Sequence, residues 1–166
     1  MERRKPLRLK TWDYSRDGIY FITICAKNRE SIFGKISHIS VGDGVLDVPI
    51  VHLSDIGKVV ERQILIMDNV YPNLSMDKFC IMPNHVHLLI ALQGGTSRTP
   101  SRTNETIPAL ISTLKRYTNR ECGSSIWHRS YYDHIIRNEQ DFQRIWRYID
   151  TNPQKWEDDC YYKESD

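Results

Sequence analysis

Residues 76–92 read Met76-Asp77-Lys78-Phe79-Cys80-Ile81-Met82-Pro83-Asn84-His85-Val86-His87-Leu88-Leu89-Ile90-Ala91-Leu92. Met76 to Met82 and His85 to Leu92 are apolar runs of strand length, and Pro83-Asn84 between them is a turn pair, so the stretch predicts a β-hairpin. Side chains alternate across a strand, which places Val86, Leu88 and Ile90 on one face and His85, His87 and Leu89 on the other. Same-face neighbours stand about 6.6 Å apart along a strand, close enough for two imidazoles to converge on one ion. Two readings of the pair stay open at this point. The histidines either ligate a metal at the mouth of the strand, beside the turn, or form a hydrogen-bonded, half-exposed pair on a solvated sheet face.

Working outward, Ile19 to Cys25 is a β-branched and aromatic run after Asp17-Gly18 and predicts a largely buried strand. Residues 33–53 hold Gly34, Gly42, Gly44 and Pro49 among short apolar runs and read as short strands and turns. Ser54 is a suitable N-cap for a helix whose apolar positions are Ile56, Val59, Val60, Ile64 and Met67, with Pro72 beyond its end. Residues 93–106 are rich in Gly, Ser, Thr, Arg and Pro and predict a mobile loop. Ile107, Leu110, Ile111, Leu114 and Tyr117 then mark an amphipathic helix ending near Gly123. A last helix spans about 138–151 around Phe142, Ile145, Trp146 and Ile149, and Pro153 ends it. Strands mixed with helices around an adjacent hairpin favour an α+β sandwich, an antiparallel sheet with helices mainly on one face.

The chain has 166 residues, 40% hydrophobic and 27% charged, enough for one domain with one core. No run approaches the roughly 20 apolar residues of a membrane span, and the basic N-terminus has no apolar segment behind it. The four cysteines, Cys25, Cys80, Cys122 and Cys160, are scattered without a C-x-x-C pair, as expected of reduced thiols in a cytosolic protein. Net charge is only +2, but it is segregated. A basic arm over about residues 1–12 carries Arg3, Arg4, Lys5, Arg8 and Lys10, and residues 96–129 carry Arg98, Arg102, Lys115, Arg116, Arg120 and Arg129. The tail from about 157 to 166 is acidic. Segregation of this kind suits a polyanion-binding face and equally suits solvated loops and termini.

On the last helix Arg144, Tyr148 and Asn152 are spaced four apart and form a line offset from the apolar stripe. Asn152 offers an amide oxygen to a metal, and its place before Pro153 equally suits a helix C-terminus. Tyr148 is either a boundary aromatic or a nucleophile. Tyr131 and Tyr132 are assigned to packing around Trp127, since the fourth positions after them hold Ile135 and Ile136.

Six segments carry a resemblance: Arg8-Leu-Lys with Tyr14, Gly18-Ile-Tyr-Phe-Ile-Thr, Phe33-Gly-Lys, Met82-Pro-Asn-His-Val-His-Leu-Leu, Trp127-His-Arg-Ser-Tyr-Tyr-Asp-His-Ile-Ile-Arg137 and Tyr148-Ile-Asp-Thr-Asn-Pro153. From Arg8 to Trp156 the chain resembles the REP-associated tyrosine transposases, a branch of the single-tyrosine transposases in the HUH nuclease superfamily. The resemblance implies a ferredoxin-like or RRM-like sheet with the histidines on a central strand and the tyrosine on a nearby helix. It implies that His85 and His87 bind a metal, that Asn152 is the third ligand and that Tyr148 is the nucleophile. The metal implied is magnesium, with manganese substituting. The implied reaction is cleavage and strand transfer of single-stranded DNA beside hairpins through a 5′-phosphotyrosine. The phenolate, with a pKa near 10, leaves more readily than a sugar alkoxide, so a second 3′ hydroxyl can reverse the adduct. Candidate DNA contacts are Arg3, Arg4, Lys5, Lys115, Arg116, Arg120 and Arg144 on phosphates and Trp12, Tyr14 and Trp127 on unpaired bases, with core packing as the favoured alternative for Trp127. A single domain over 1–166 acting as a monomer is expected, with a homodimer as the alternative. A non-catalytic nucleic-acid-binding module and a water-using metal nuclease are the competing functional classes.

Overall fold

The computed structural model describes residues 17–41, 46–93 and 107–162. Six strands and three helices follow in the order β1 (Gly18–Cys25), β2 (Gly34–Val41), β3 (Leu46–Leu53), α1 (Asp55–Val70), β4 (Leu74–Ile81), β5 (His85–Leu92), α2 (Ile107–Cys122), β6 (Tyr132–Ile136) and α3 (Glu139–Thr151). Short 3-10 turns occupy Lys27–Arg29 and Pro153–Asp158. The sheet order is β4-β5-β1-β6, antiparallel throughout, and β2 pairs with β3 in a separate two-stranded ribbon. With that ribbon set aside as an insertion, the remaining elements run β-α-β-β-α-β with the first and third strands central, which is the ferredoxin-like arrangement. The α+β expectation holds. The basic arm with Arg3, Arg4, Lys5, Trp12 and Tyr14, and nearly all of the expected mobile loop, lie outside the described residues.

Local chemistry accounts for the boundaries. The Ser54 hydroxyl accepts a hydrogen bond from the Gly57 amide at 3.0 Å and so satisfies one free N–H at the start of α1. Any side chain at Gly57 would collide with the Phe33 carbonyl, so this residue lets the helix lie against the start of β2. Asn138 caps α3 by accepting from the Asp141 amide at 2.8 Å. Gly123, at φ +66°, ends α2 in the left-handed conformation. The 33–53 region is one hairpin of two eight-residue strands. Strand β6 was not anticipated from the sequence.

The core divides by sheet face. Tyr20, Ile22 and Ile24 of β1 and Val86, Leu88 and Ile90 of β5 form one large cluster with Val60 and Ile64 of α1 and Ile107, Leu110, Ile111 and Leu114 of α2. On the opposite face Phe21 and Leu89 meet Ile145 and Ile149 of α3 in a much smaller cluster. Two helices thus cover the apolar face, and α3 alone covers part of the other. Among the described residues no helix is long and apolar enough to cross a membrane.

Candidate metal centre and nucleophile

Strand alternation puts His85 and His87 on the α3 side of the sheet, and both are buried. Their Nε2 atoms stand 2.9 Å apart. Each outer nitrogen has a partner: Asn84 Oδ1 lies 2.9 Å from His85 Nδ1, and Thr23 Oγ1, directly across on β1, lies 2.8 Å from His87 Nδ1. Burial pushes the pKa of His85 down to about 4, against the opposing pull of the Asp159 charge. The pKa of His87 is also lowered, first by burial and then by His85. Both imidazoles are therefore neutral near pH 7, the state in which histidine ligates a metal.

Helix α3 is anchored to β4 by the Lys78 ammonium, which pairs with Asp150 at 2.5 Å and lies 4.2 Å from the centre of the Trp146 ring. Ile145 and Ile149 fix its rotation against Phe21 and Leu89. Tyr148 then lands between Phe21 and His87, with ring centroids 5.9 and 5.2 Å away. It is 37% exposed, so one side meets the histidine and the other stays open to solvent. Burial raises the phenol pKa, the Asp159 charge raises it further, and Asn152 works in the other direction.

Asn152 ends α3 with right-handed helical dihedrals, and its side chain is buried. Its Nδ2 donates to Asp159 Oδ2 at 3.0 Å, while its Oδ1 is buried without a hydrogen-bond partner. Asp159 Oδ2 in turn lies 4.0 Å from His85 Nε2. Ligand atoms of His85, His87 and Asp159 all fall within 4.8 Å of one another. Two neutral imidazoles, a carboxylate and an orphaned amide oxygen form a donor set that fits a divalent cation. The unpaired Asn152 Oδ1 is the specific sign, since a buried oxygen without a partner is costly unless a ligand completes it.

Three participants escaped the sequence reading. Asp159 looked like one solvated charge of an acidic tail. Tyr161, whose ring lies 4.7 Å from His85 and is capped by Arg29 at 5.3 Å, carries no spacing signal relative to the histidines. Asn84 read as a turn residue, yet it is fully buried.

The candidate DNA contacts within the described residues do not gather at the site. Lys115 donates to the carbonyls of His128, Arg129 and Ser130, so it holds the loop before β6. Arg116 and Arg120 flank the Tyr117 ring on α2, across the sheet from the histidines. Arg144 stands one turn before Tyr148, 66% exposed and paired with Asp141, which also binds His134 at 2.7 Å. Trp127 is core, with its Nε1 donating to Thr118 Oγ1 at 2.7 Å. Tyr131 is buried as well, whereas Tyr132 is exposed on β6. The cysteines among the described residues are unpaired.

A ferredoxin-like α+β domain that buries a histidine pair beneath a tyrosine-bearing helix is the class these residues define. The chain belongs to the same family as a Haemophilus influenzae protein described as uncharacterized, with 32% identity over 180 aligned positions that cover 98% of this chain and 94% of that one. It is also similar to the REP-associated tyrosine transposase of Escherichia coli K12, at 28% identity over 81 residues, 48% of this chain and 44% of that protein. In fold it matches a solved REP-associated tyrosine transposase bound to a REP hairpin, with a TM-score of 0.65 over 90% of this chain and 74% of that chain, at 20% identity. No family model matches the chain.

Proposed function

We propose that this protein is a transposase-like enzyme that cuts and rejoins single-stranded DNA beside hairpins, using Tyr148 as the nucleophile and a divalent metal held by His85 and His87. One observation carries the reading. Within a single chain, α3 places Tyr148 against His87 on the side of the sheet where the Asn152 amide oxygen lies buried without a partner. The completed pairing within one chain supports action as a monomer. The partial sequence similarity to a REP-associated tyrosine transposase supports the same reading. The related protein in the solved structure is bound to a REP hairpin, and that supports hairpin DNA as the partner class.

His85, His87 and Asn152 would hold magnesium, or manganese in its place, with Asp159 as the adjoining carboxylate. A cation bound there supplies Lewis-acid polarisation of the scissile phosphate. The Tyr148 oxygen attacks phosphorus, a phosphorus–oxygen bond to the phenol forms, and the bond to the 3′ oxygen breaks. The phenol proton passes to a nearby base, for which Asp159 is the candidate because its charge already bears on Tyr148, and from there to the departing 3′ oxygen, which leaves as a hydroxyl. A 3′ hydroxyl of another strand reverses the step and displaces the phenolate.

A denaturing gel of the protein with labelled single-stranded hairpin oligonucleotides and manganese tests the reading. The expected result is a covalent adduct that is absent from Tyr148→Phe and His87→Ala. Cutting without an adduct in Tyr148→Phe would make water the nucleophile. DNA binding with no adduct in wild type would leave a binding module.

A further inference from the structure

Asn84 occupies the turn between β4 and β5 and has no exposed surface. Its Nδ2 donates to the Tyr161 carbonyl at 2.7 Å and to the Arg29 carbonyl at 3.3 Å. A carbonyl only accepts, so the amide must turn its NH2 end toward both, and its oxygen is left facing His85 Nδ1 at 2.9 Å. An amide oxygen also only accepts, so Nδ1 carries the hydrogen. A neutral imidazole has one N–H, and the His85 Nε2 lone pair therefore points at His87 Nε2. His87 differs, because its outer partner is the Thr23 hydroxyl, which donates or accepts equally well.

We propose that Asn84 is a positioning residue that locks His85 as the Nδ1–H tautomer, with Nε2 permanently prepared as a ligand atom, while Thr23 leaves His87 free to change tautomer when a metal arrives. The inference rests on the reading of the two histidines given above. Without metal, His87 Nε2–H donates to His85 Nε2, and the Thr23 hydroxyl donates to His87 Nδ1. On metal binding His87 must present Nε2 bare. One proton leaves Nε2 and one arrives at Nδ1, where it is donated to the Thr23 oxygen, so the exchange releases no net proton. The same Asn84 amide ties Tyr161, and hence the turn bearing Asp159, to the strand that carries the histidines.

Imidazole 15N NMR on the metal-free protein reads the tautomers directly. Wild type is expected to show His85 as Nδ1–H and His87 as Nε2–H. His85 should be unchanged in Thr23→Val and a mixture of tautomers in Asn84→Ala. Titration with zinc, chosen as a diamagnetic probe, should switch His87 alone and should bind about 10- to 100-fold more weakly to Asn84→Ala. His85 found as Nε2–H in wild type overturns the proposal, as does a pure Nδ1–H form with undiminished zinc affinity in Asn84→Ala. If Asn84→Ala does not fold, the wild-type and Thr23→Val spectra decide. Zinc ignored by wild type would overturn the metal site, while the tautomer of His85 would still decide the role of Asn84.

Discussion

Strand β5 is buried from His85 to Leu92, yet its two sides meet different material. Val86, Leu88 and Ile90 face the cluster under α1 and α2, where nearly every neighbour is aliphatic or aromatic. His85 and His87, one residue out of phase, face Thr23, Asn84, Asn152, Tyr148 and Asp159. The first side removes apolar surface from water and stabilises the fold. The second buries polar groups, holds two imidazoles neutral and leaves one amide oxygen unsatisfied, all of which cost stability. Under the proposed function these costly groups are kept for their chemistry, and the two faces of one strand separate that role from folding.

The apolar side of β5 carries the largest expected effect. Leu88→Ala is expected to cost roughly 4 kcal/mol, because the removed side chain leaves a cavity in the larger core. Urea unfolding would measure that loss, and the surviving folded fraction should still form adduct at close to the wild-type rate.

Acid probes the other side. His85 titrates at about 4 in the folded protein and near 6.5 unfolded, so between these values the unfolded chain binds a proton that the folded chain refuses. Stability of the metal-free protein should therefore fall as pH drops from 6.5 toward 4, by on the order of 3 kcal/mol. His87 contributes in the same direction. Melting temperatures across that range in wild type and His85→Asn would show a sloping and a flattened profile. Parallel profiles would mean that the histidines are not held neutral.

Metal should act on the same side with the opposite sign. Manganese at a hundred times its dissociation constant should stabilise wild type by about 2.7 kcal/mol. Leu88→Ala should keep this increment and His87→Ala should lose it. The smallest effect concerns neither face of β5: Ser54→Ala removes the α1 cap and should cost about 1 kcal/mol in the same unfolding assay, with adduct formation untouched.

The division between faces was legible in advance wherever periodicity carried it. Alternation along His85 to Leu92 assigned each side chain to its face, and Ser54, Gly123 and Pro153 marked helix ends by chemistry that acts within a few residues. Strand β6 was missed because only five residues pair, and Tyr132, Asp133 and His134 among them do not read as buried. Asp159 and Tyr161 were hidden for a different reason. Their role depends on the chain folding back from α3 over the histidines, a tertiary event with no local pattern. Asn84 sits in the turn its sequence context indicated, but its second role was hidden, since its side-chain partners, Arg29 and Tyr161, are remote in sequence.

Two tyrosines now stand beside the histidine pair, Tyr148 on His87 and Tyr161 on His85. The most direct test is to trap the covalent DNA adduct with manganese, digest it with protease and locate the modified residue by mass spectrometry. DNA attached to Tyr148 is the predicted result. Attachment to Tyr161, or to any other residue, would contradict the assignment of α3 as the helix that carries the nucleophile.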